Sequence, residues 1–272
     1  MSVIEQIICK HQHRGLATLL LEMPSAYCRL AAEAISELPR GHVLLTTGFY
    51  CFGGGETDGP VGTYFLCQAL QKIGFSPVIV SDSYSKAFFE GVEFPVEIYD
   101  WQTDTKSLLQ KYHPVMLLSV ERCGRASDGK YYTMNKTDIS EFTPPIDALF
   151  LQPDVLSIGI GDGGNEIGMG KYYDVLKEAL FIIPSVVSCD YLIPATVSNW
   201  GAYGLLTALS IHNKTNLLPS YLEVSKYLHF IVDQGASDGI KGKANYSVDG
   251  FDLQTEKEIL LLLMQEIESA LT

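Results

Sequence analysis

Between Ser157 and Gly170 the chain reads Ser-Ile-Gly-Ile-Gly-Asp-Gly-Gly-Asn-Glu-Ile-Gly-Met-Gly. The apolar run Val155 to Ile160 gives way there to Gly161, Gly163, Gly164, Gly168 and Gly170, interleaved with Asp162, Asn165 and Glu166. Core packing does not account for so many polar groups among glycines. Glycine admits φ > 0 and lets the backbone approach a ligand, while the acids and the amide supply acceptors and donors at the mouth of a strand. Asp162 and Glu166 are therefore candidates for acid and base work. Gly163 and Gly164 are candidate backbone donors to a substrate carboxylate, and Asn165 a candidate for orienting an intermediate.

A second stretch, Gly53-Gly54-Gly55-Glu56-Thr57-Asp58-Gly59-Pro60, follows the short run His42 to Thr47 and precedes apolar residues at helical spacing from Val61 to Ile73. Strand, glycine-rich loop and helix in that order present free N–H groups and the positive end of a helix dipole, which suit a carboxylate or phosphate. Gly54, Gly55, Glu56 and Thr57 are candidate substrate contacts, and Asp58 is a candidate catalytic carboxyl. The loop matches neither Gly-x-Gly-x-x-Gly nor Gly-x-x-x-x-Gly-Lys-Ser/Thr, so no dinucleotide or nucleoside triphosphate site is assigned. A long connection needing φ > 0 would explain the glycines but not Glu56 and Asp58. Thr57 or Asp58 also suits the N-cap of the following helix, with Pro60 in its first turn.

Glu121-Arg122-Cys123-Gly124-Arg125-Ala126-Ser127-Asp128-Gly129 follows the buried run Val115 to Val120. Glu121 is a further candidate acid or base, and Arg122 and Arg125 suit fork-shaped contacts to a carboxylate. Asp128-Gly129 reads as a hairpin turn. In Val197-Ser198-Asn199-Trp200-Gly201, Ser198 or Asn199 fits a helix N-cap. Asn199 is equally a neutral donor and acceptor for a substrate, and Trp200 a pocket wall. Asp249, in a turn, has the least support among the acids. In the N-terminal region the only groups with chemistry to offer are His11, His13 and Arg14, and the His-x-His pair is discounted because in helical context it is more often surface than metal site.

Alternating elements must position these groups. Strand-like runs at 42–47, 77–80, 96–99, 115–120, 155–160 and 181–187 alternate with helical patterns, including 61–73, 105–111, 144–151, 172–180 and a small-residue helix through Ser210. That alternation predicts parallel strands joined by right-handed crossovers. Residues 1–38 read as helical, with Pro24 in the first turn of a third helix, and 220–234 and 253–271 as two more helices. The expected fold is one α/β domain over 1–272: an open, mostly parallel Rossmann-like three-layer sheet with N- and C-terminal helical decorations. Such sheets bind ligands at the C-terminal ends of their strands. The loops at 53–60, 121–128, 157–170 and 198–201 must then converge on one edge.

Composition narrows the partners. A formal net charge of -13, from 19 Lys plus Arg against 32 Asp plus Glu, repels polyphosphate backbones, so nucleic acid is not expected. Six scattered cysteines without a Cys-x-x-Cys pair read as free thiols in a reducing compartment. Cys51 and Cys123 sit in motif-rich loops without an evident His partner, so inert thiols are preferred over nucleophiles. No run approaches the roughly 20 apolar residues of a membrane span, and the N-terminus lacks a leader pattern, so a cytoplasmic protein is expected.

Taken together, the stretches at 53–60, 121–129, 159–170 and 197–201 resemble the D-glutamate cyclase family, specifically the domain forming the C-terminal part of the longer two-domain enzymes. The resemblance spans about Pro24 to the last helix. It implies a hydro-lyase that closes D-glutamate to 5-oxo-D-proline with loss of water, or a relative acting on a similar small amino acid. The N-terminal domain of the longer enzymes has no counterpart in these residues. The resemblance leaves two alternatives: activity that requires that domain, or a related substrate. No organic cofactor is expected; a divalent cation, Mg or Mn, held by Asp58, Asp162 or Glu166 is an alternative electrophile to a proton. A homodimer is left open. Other classes stay in view: a non-catalytic nucleotide or amino-acid binding module, and a hydrolase or racemase of a small amino-acid derivative.

Overall fold

The computed structural model describes every residue except His13 and Pro153, so the histidine pair at 11 and 13 lies partly outside the described residues. Six strands form the central sheet: β1 His42–Thr47, β2 Ser76–Ser81, β3 Val96–Ile98, β4 Met116–Val120, β5 Leu156–Gly161 and β6 Tyr191–Pro194. All neighbours run parallel, in the order β3-β2-β1-β4-β5-β6. This is the Rossmann order, and the protein has that α/β architecture. The strands are short and apolar on both faces because both faces are covered, as parallel sheets require.

The helices are α1 Val3–Ile8, α2 Ala17–Glu22, α3 Tyr27–Glu37, α4 Pro60–Lys72, α5 Thr105–Tyr112, α6 Tyr173–Ala179, α7 Ser198–Asn213, α8 Tyr221–Asp233 and α9 Leu253–Leu271. One face of the sheet, with Val43, Leu45, Ile79, Leu118, Ile158 and Ile160, packs in one core with α1, α3, α4, α7, α8 and α9. The N- and C-terminal helices are therefore part of a layer rather than appendages. Helix α7 is buried from Ser198 to Ser210 and lies under the other helices, which is why it is apolar all round. The opposite face, with Leu44, Val78, Val80 and Leu117, is covered by Leu108 of α5 and by Ile146, Leu149 and Phe150. Those three lie on a 3-10 run, Ile146–Leu151, where an ordinary helix was expected.

The sixth strand also differs from expectation. Residues 181–187 are irregular, and the sheet edge is the four-residue Tyr191–Pro194. Pro194 has no N–H to give a ladder, so it suits the end of an edge strand. Residues 185–188 instead brace the glycine loop: Ser185 N donates to Gly164 O at 3.0 Å, Gly168 N to Val187 O at 2.9 Å, and Val186 N to Arg125 O at 2.9 Å. Because β1 leads outward to β2 while β4 lies on its other side, the connections diverge there and a crevice opens outside their C-terminal ends.

Candidate active site

Past β1, Tyr50–Cys51 pairs with Gly54–Gly55 in a small hairpin. Its turn residues Phe52 and Gly53 both have positive φ, 47° and 86°, as a tight two-residue hairpin demands. Gly59 follows at φ 93°, where an added Cβ would meet Thr47 Oγ1 at 2.6 Å and Glu121 Cβ at 2.8 Å. Only glycine lets the chain pass this close to the end of β4 before Pro60 opens α4.

The two helices beside this loop cap one another. Asp58 accepts from Ser198 N and Asn199 N, each at 2.7 Å, so its carboxyl sits on the N-terminus of α7. Asn199 in return accepts from Gly59 N at 3.0 Å and Gly62 N at 2.8 Å, and donates to Thr57 O at 3.1 Å. Thr57 and Asp58 do not cap α4, and neither Ser198 nor Asn199 caps α7; each cap comes from the partner loop. Ser198 Oγ donates to Glu121 at 2.5 Å. Glu121 itself holds φ 48° directly after β4, a strained conformation of the kind found at functional sites.

Asp58, Glu121 and Asp162 are buried and place carboxylate oxygens within 4.8 Å of one another. Asp162 and Asp249 are both bound by Arg14, which reaches in from the segment between α1 and α2; the Asp249 contact is 3.0 Å. A cavity of about 570 Å³ opens beside them, lined by Arg14, Glu56, Glu121, Asn165, Glu166 and Asp249 together with apolar residues described below. Burial, then the charges of Asp249 and Asp58, pushes the Glu56 carboxyl well above the ordinary range. Asp58 and Glu121 are pushed up in the same way, by burial first and then by like charges, with Asp249 acting on Asp58 and Asp162 on Glu121. Burial also raises Asp162, against the opposing pull of Arg14. Burial raises Glu166, although Gly163 N and Gly164 N donate to its oxygens at 2.8 and 2.7 Å. For Arg14, burial alone would lower the guanidinium, but Asp162, Asp249, Glu121 and Glu56 together hold it well above its usual value.

Four carboxyls, Glu56, Glu121, Glu166 and Asp249, thus share the described cavity lining with a single guanidinium, and Asp58 and Asp162 cluster with Glu121 beside it. Asp162 Oδ2, Asp249 Oδ2, Asn165 Oδ1 and Thr47 Oγ1 are buried without a hydrogen-bond partner. Buried orphans of this kind mark a place for a proton, an ion or a ligand.

The loops at 121–128 and 157–170 are joined by backbone bonds: Gly124 N to Asn165 O at 2.9 Å, Ile167 N to Arg122 O at 2.8 Å. The four loops do meet at one sheet edge, yet several candidates turn away from the cavity. Arg122 is buried, with its guanidinium on Asp82, on Gly48 O at 2.7 Å and on Pro144 O at 2.8 Å. It ties three loops together beneath the site instead of facing a substrate. Arg125 pairs with Asp147 at 2.6 Å, and Trp200 donates from Nε1 to Glu256 at 2.6 Å inside the core. Gly54, Gly55, Thr57, Gly163 and Gly164 shape the loops without lining the cavity. Cys51 and Cys123 are raised by burial, the direction that disfavours a thiolate. Arg14, named in the sequence only beside the discounted histidine pair and given no role there, is the cation of the site. The Asp249-Gly250 turn was a visible signal, and Asp249 holds φ 50° there.

An open sheet in the Rossmann order, with a carboxyl-rich crevice at its topological switch point, places the protein in the Rossmann-like α/β class. The model of the family described as D-glutamate cyclase-like, C-terminal, matches residues 4–264, and the chain belongs to that family. It is 29% identical over 282 residues to a human protein named D-glutamate cyclase, mitochondrial, covering 84% of this chain and 46% of that protein. The chain therefore spans about half the length of this relative. No described helix is long and apolar enough to cross a membrane.

Proposed function

We propose that the chain is a hydro-lyase that closes D-glutamate, or a close analogue, to 5-oxo-D-proline with loss of water. The observation that carries this reading is the gathering of Glu56, Asp58, Glu121, Asp162 and Glu166, with Arg14 and Asp249, beside one cavity, in a chain of the D-glutamate cyclase-like family. The reaction joins the α-amine to the γ-carboxyl carbon of the same molecule. Holding the two near attack distance can contribute several of the roughly 7–11 kcal/mol available from well-oriented intramolecular attack. The ammonium must first lose a proton, and the departing oxygen must gain protons. Carboxyls raised by burial suit both tasks near neutral pH.

In this reading Arg14 receives the α-carboxylate, Glu166 removes the ammonium proton, and Asn165 orients the intermediate. Asp58, Glu121 and Asp162 offer the hard oxygen ligands that Mg or Mn takes. A cation bound there would polarise the γ-carboxyl and offset the excess negative charge. The substrate is a small amino acid; nucleic acid is set aside by the acidic surface, and a cytoplasmic location and a homodimer stay as proposals.

The direct test incubates the protein with D- and L-glutamate and follows 5-oxoproline by chromatography, with chelator and after adding back Mg or Mn. Turnover of D-glutamate supports the reading, and no formation of either enantiomer of 5-oxoproline, with or without metal, sinks it. Chelator-resistant turnover would assign the electrophile's activation to protonated carboxyls.

A further inference from the structure

The cavity is larger than free glutamate requires. It measures about 570 Å³, whereas a cavity of about 150 Å³ already holds benzene. Beside its carboxyls the lining includes Phe49, Tyr50, Phe52, Met134, Ile139 and Ile240. Phe52 and Ile240 stand at the mouth, 53% and 54% exposed. Tyr50 is fixed in place: its ring stacks on Phe142 at 4.3 Å and meets Tyr84 edge-on at 4.8 Å. A preformed wall of aromatic and flexible apolar side chains next to a polar cluster is what an apolar substituent needs.

Charge points the same way. Glutamate brings two carboxylates into a cavity where the one guanidinium among the described lining residues is already shared by Asp162 and Asp249. A substrate whose γ-carboxyl is an amide brings only one. From the cyclase reading, and resting on it, we propose that the chain also cyclises γ-amides of glutamate that carry an apolar amine, releasing that amine into the aromatic mouth. The bond formed is from the α-nitrogen to the γ-carbonyl carbon, and the bond broken joins that carbon to the amide nitrogen. The proton lost by the attacking nitrogen passes to the departing amine, with Glu166 as relay. No water is taken up or released, and no oxidant or reductant is needed.

The probe is the γ-(p-nitroanilide) of D-glutamate, with the L-form and an enzyme-free blank beside it. The expected result is p-nitroaniline and 5-oxoproline in equal amounts above the blank, with kcat/KM at least tenfold above that for D-glutamate. Release of p-nitroaniline with free glutamate would show hydrolysis and overturn the proposal. Turnover of D-glutamate without turnover of the anilide would overturn it while leaving the cyclase reading intact; turnover of neither would overturn both. Ile240→Trp, which narrows the mouth, should lower kcat/KM for the anilide at least tenfold more than for D-glutamate. Equal effects on the two substrates would remove the apolar mouth as the amine's binding place.

Discussion

Replacing Asn199 with alanine tests whether the crossed caps hold the site together. The side chain is fully buried and makes three bonds, to Gly59 N, Gly62 N and Thr57 O. Losing a cap residue costs about 1–2 kcal/mol. Leaving the Thr57 carbonyl buried without a donor adds about 1–3 kcal/mol. The sum is about 2–5 kcal/mol, a large share of the roughly 5–15 kcal/mol that keeps a typical protein folded. At about 2–4 °C per kcal/mol for a chain approaching this size, Tm should fall by at least about 4 °C, read by calorimetry with circular dichroism at two wavelengths. Turnover of D-glutamate should fall too, because Asp58 and Ser198, which bonds Glu121, lose their fixed placement. A loss under about 0.5 kcal/mol, the scale of an ordinary surface change, would refute the reasoning: the caps would then be incidental.

Asp162→Asn and Glu166→Gln should each lower kcat for cyclisation by about 10²–10⁴ while the folded signal persists; wild-type rates in both would remove their assigned roles. Arg14→Gln should raise KM for glutamate more than it lowers kcat, with partial rescue in Arg14→Lys, and an unchanged KM would detach Arg14 from the substrate carboxylate. Glu256, buried on Trp200 Nε1 and Tyr203 Oη at 2.6 and 2.8 Å, is raised by burial against those donors. Its folded value exceeds its unfolded one, so its contribution is full below the ordinary range near about 4.3 and is lost as pH rises through the folded value. Denaturant titrations across that window should show a flatter decline for Glu256→Gln than for wild type, and parallel curves would contradict the assignment.

Much of the fold was legible in the chain. The runs His42–Thr47 and Met116–Val120 are too short for helices and too apolar for exposed strands, so a covered parallel sheet was their natural place. Residues 181–187 misled because the backbone of 185–187 bonds the glycine loop and Arg125 instead of a sheet neighbour, and local pattern does not distinguish hydrogen bonding to a loop from hydrogen bonding to a strand. Tyr191–Pro194 was overlooked for its brevity and its proline.

At the site, the sequence by itself determined where carboxyls sit among glycines at strand ends: Asp58, Glu121, Asp162 and Glu166 all belong to such stretches. Only the tertiary structure decided which side chains face the cavity. Arg122 lies beside Glu121 in sequence, yet neighbours leaving a strand point to different sides, and it is buried under Gly48 and Asp82. Arg14 and Asp249, both outside the four glycine- and acid-rich stretches, arrive across the crevice as an ion pair. Such pairings depend on how distant segments fold back over the sheet, and residue spacing along the chain carries no record of that distance.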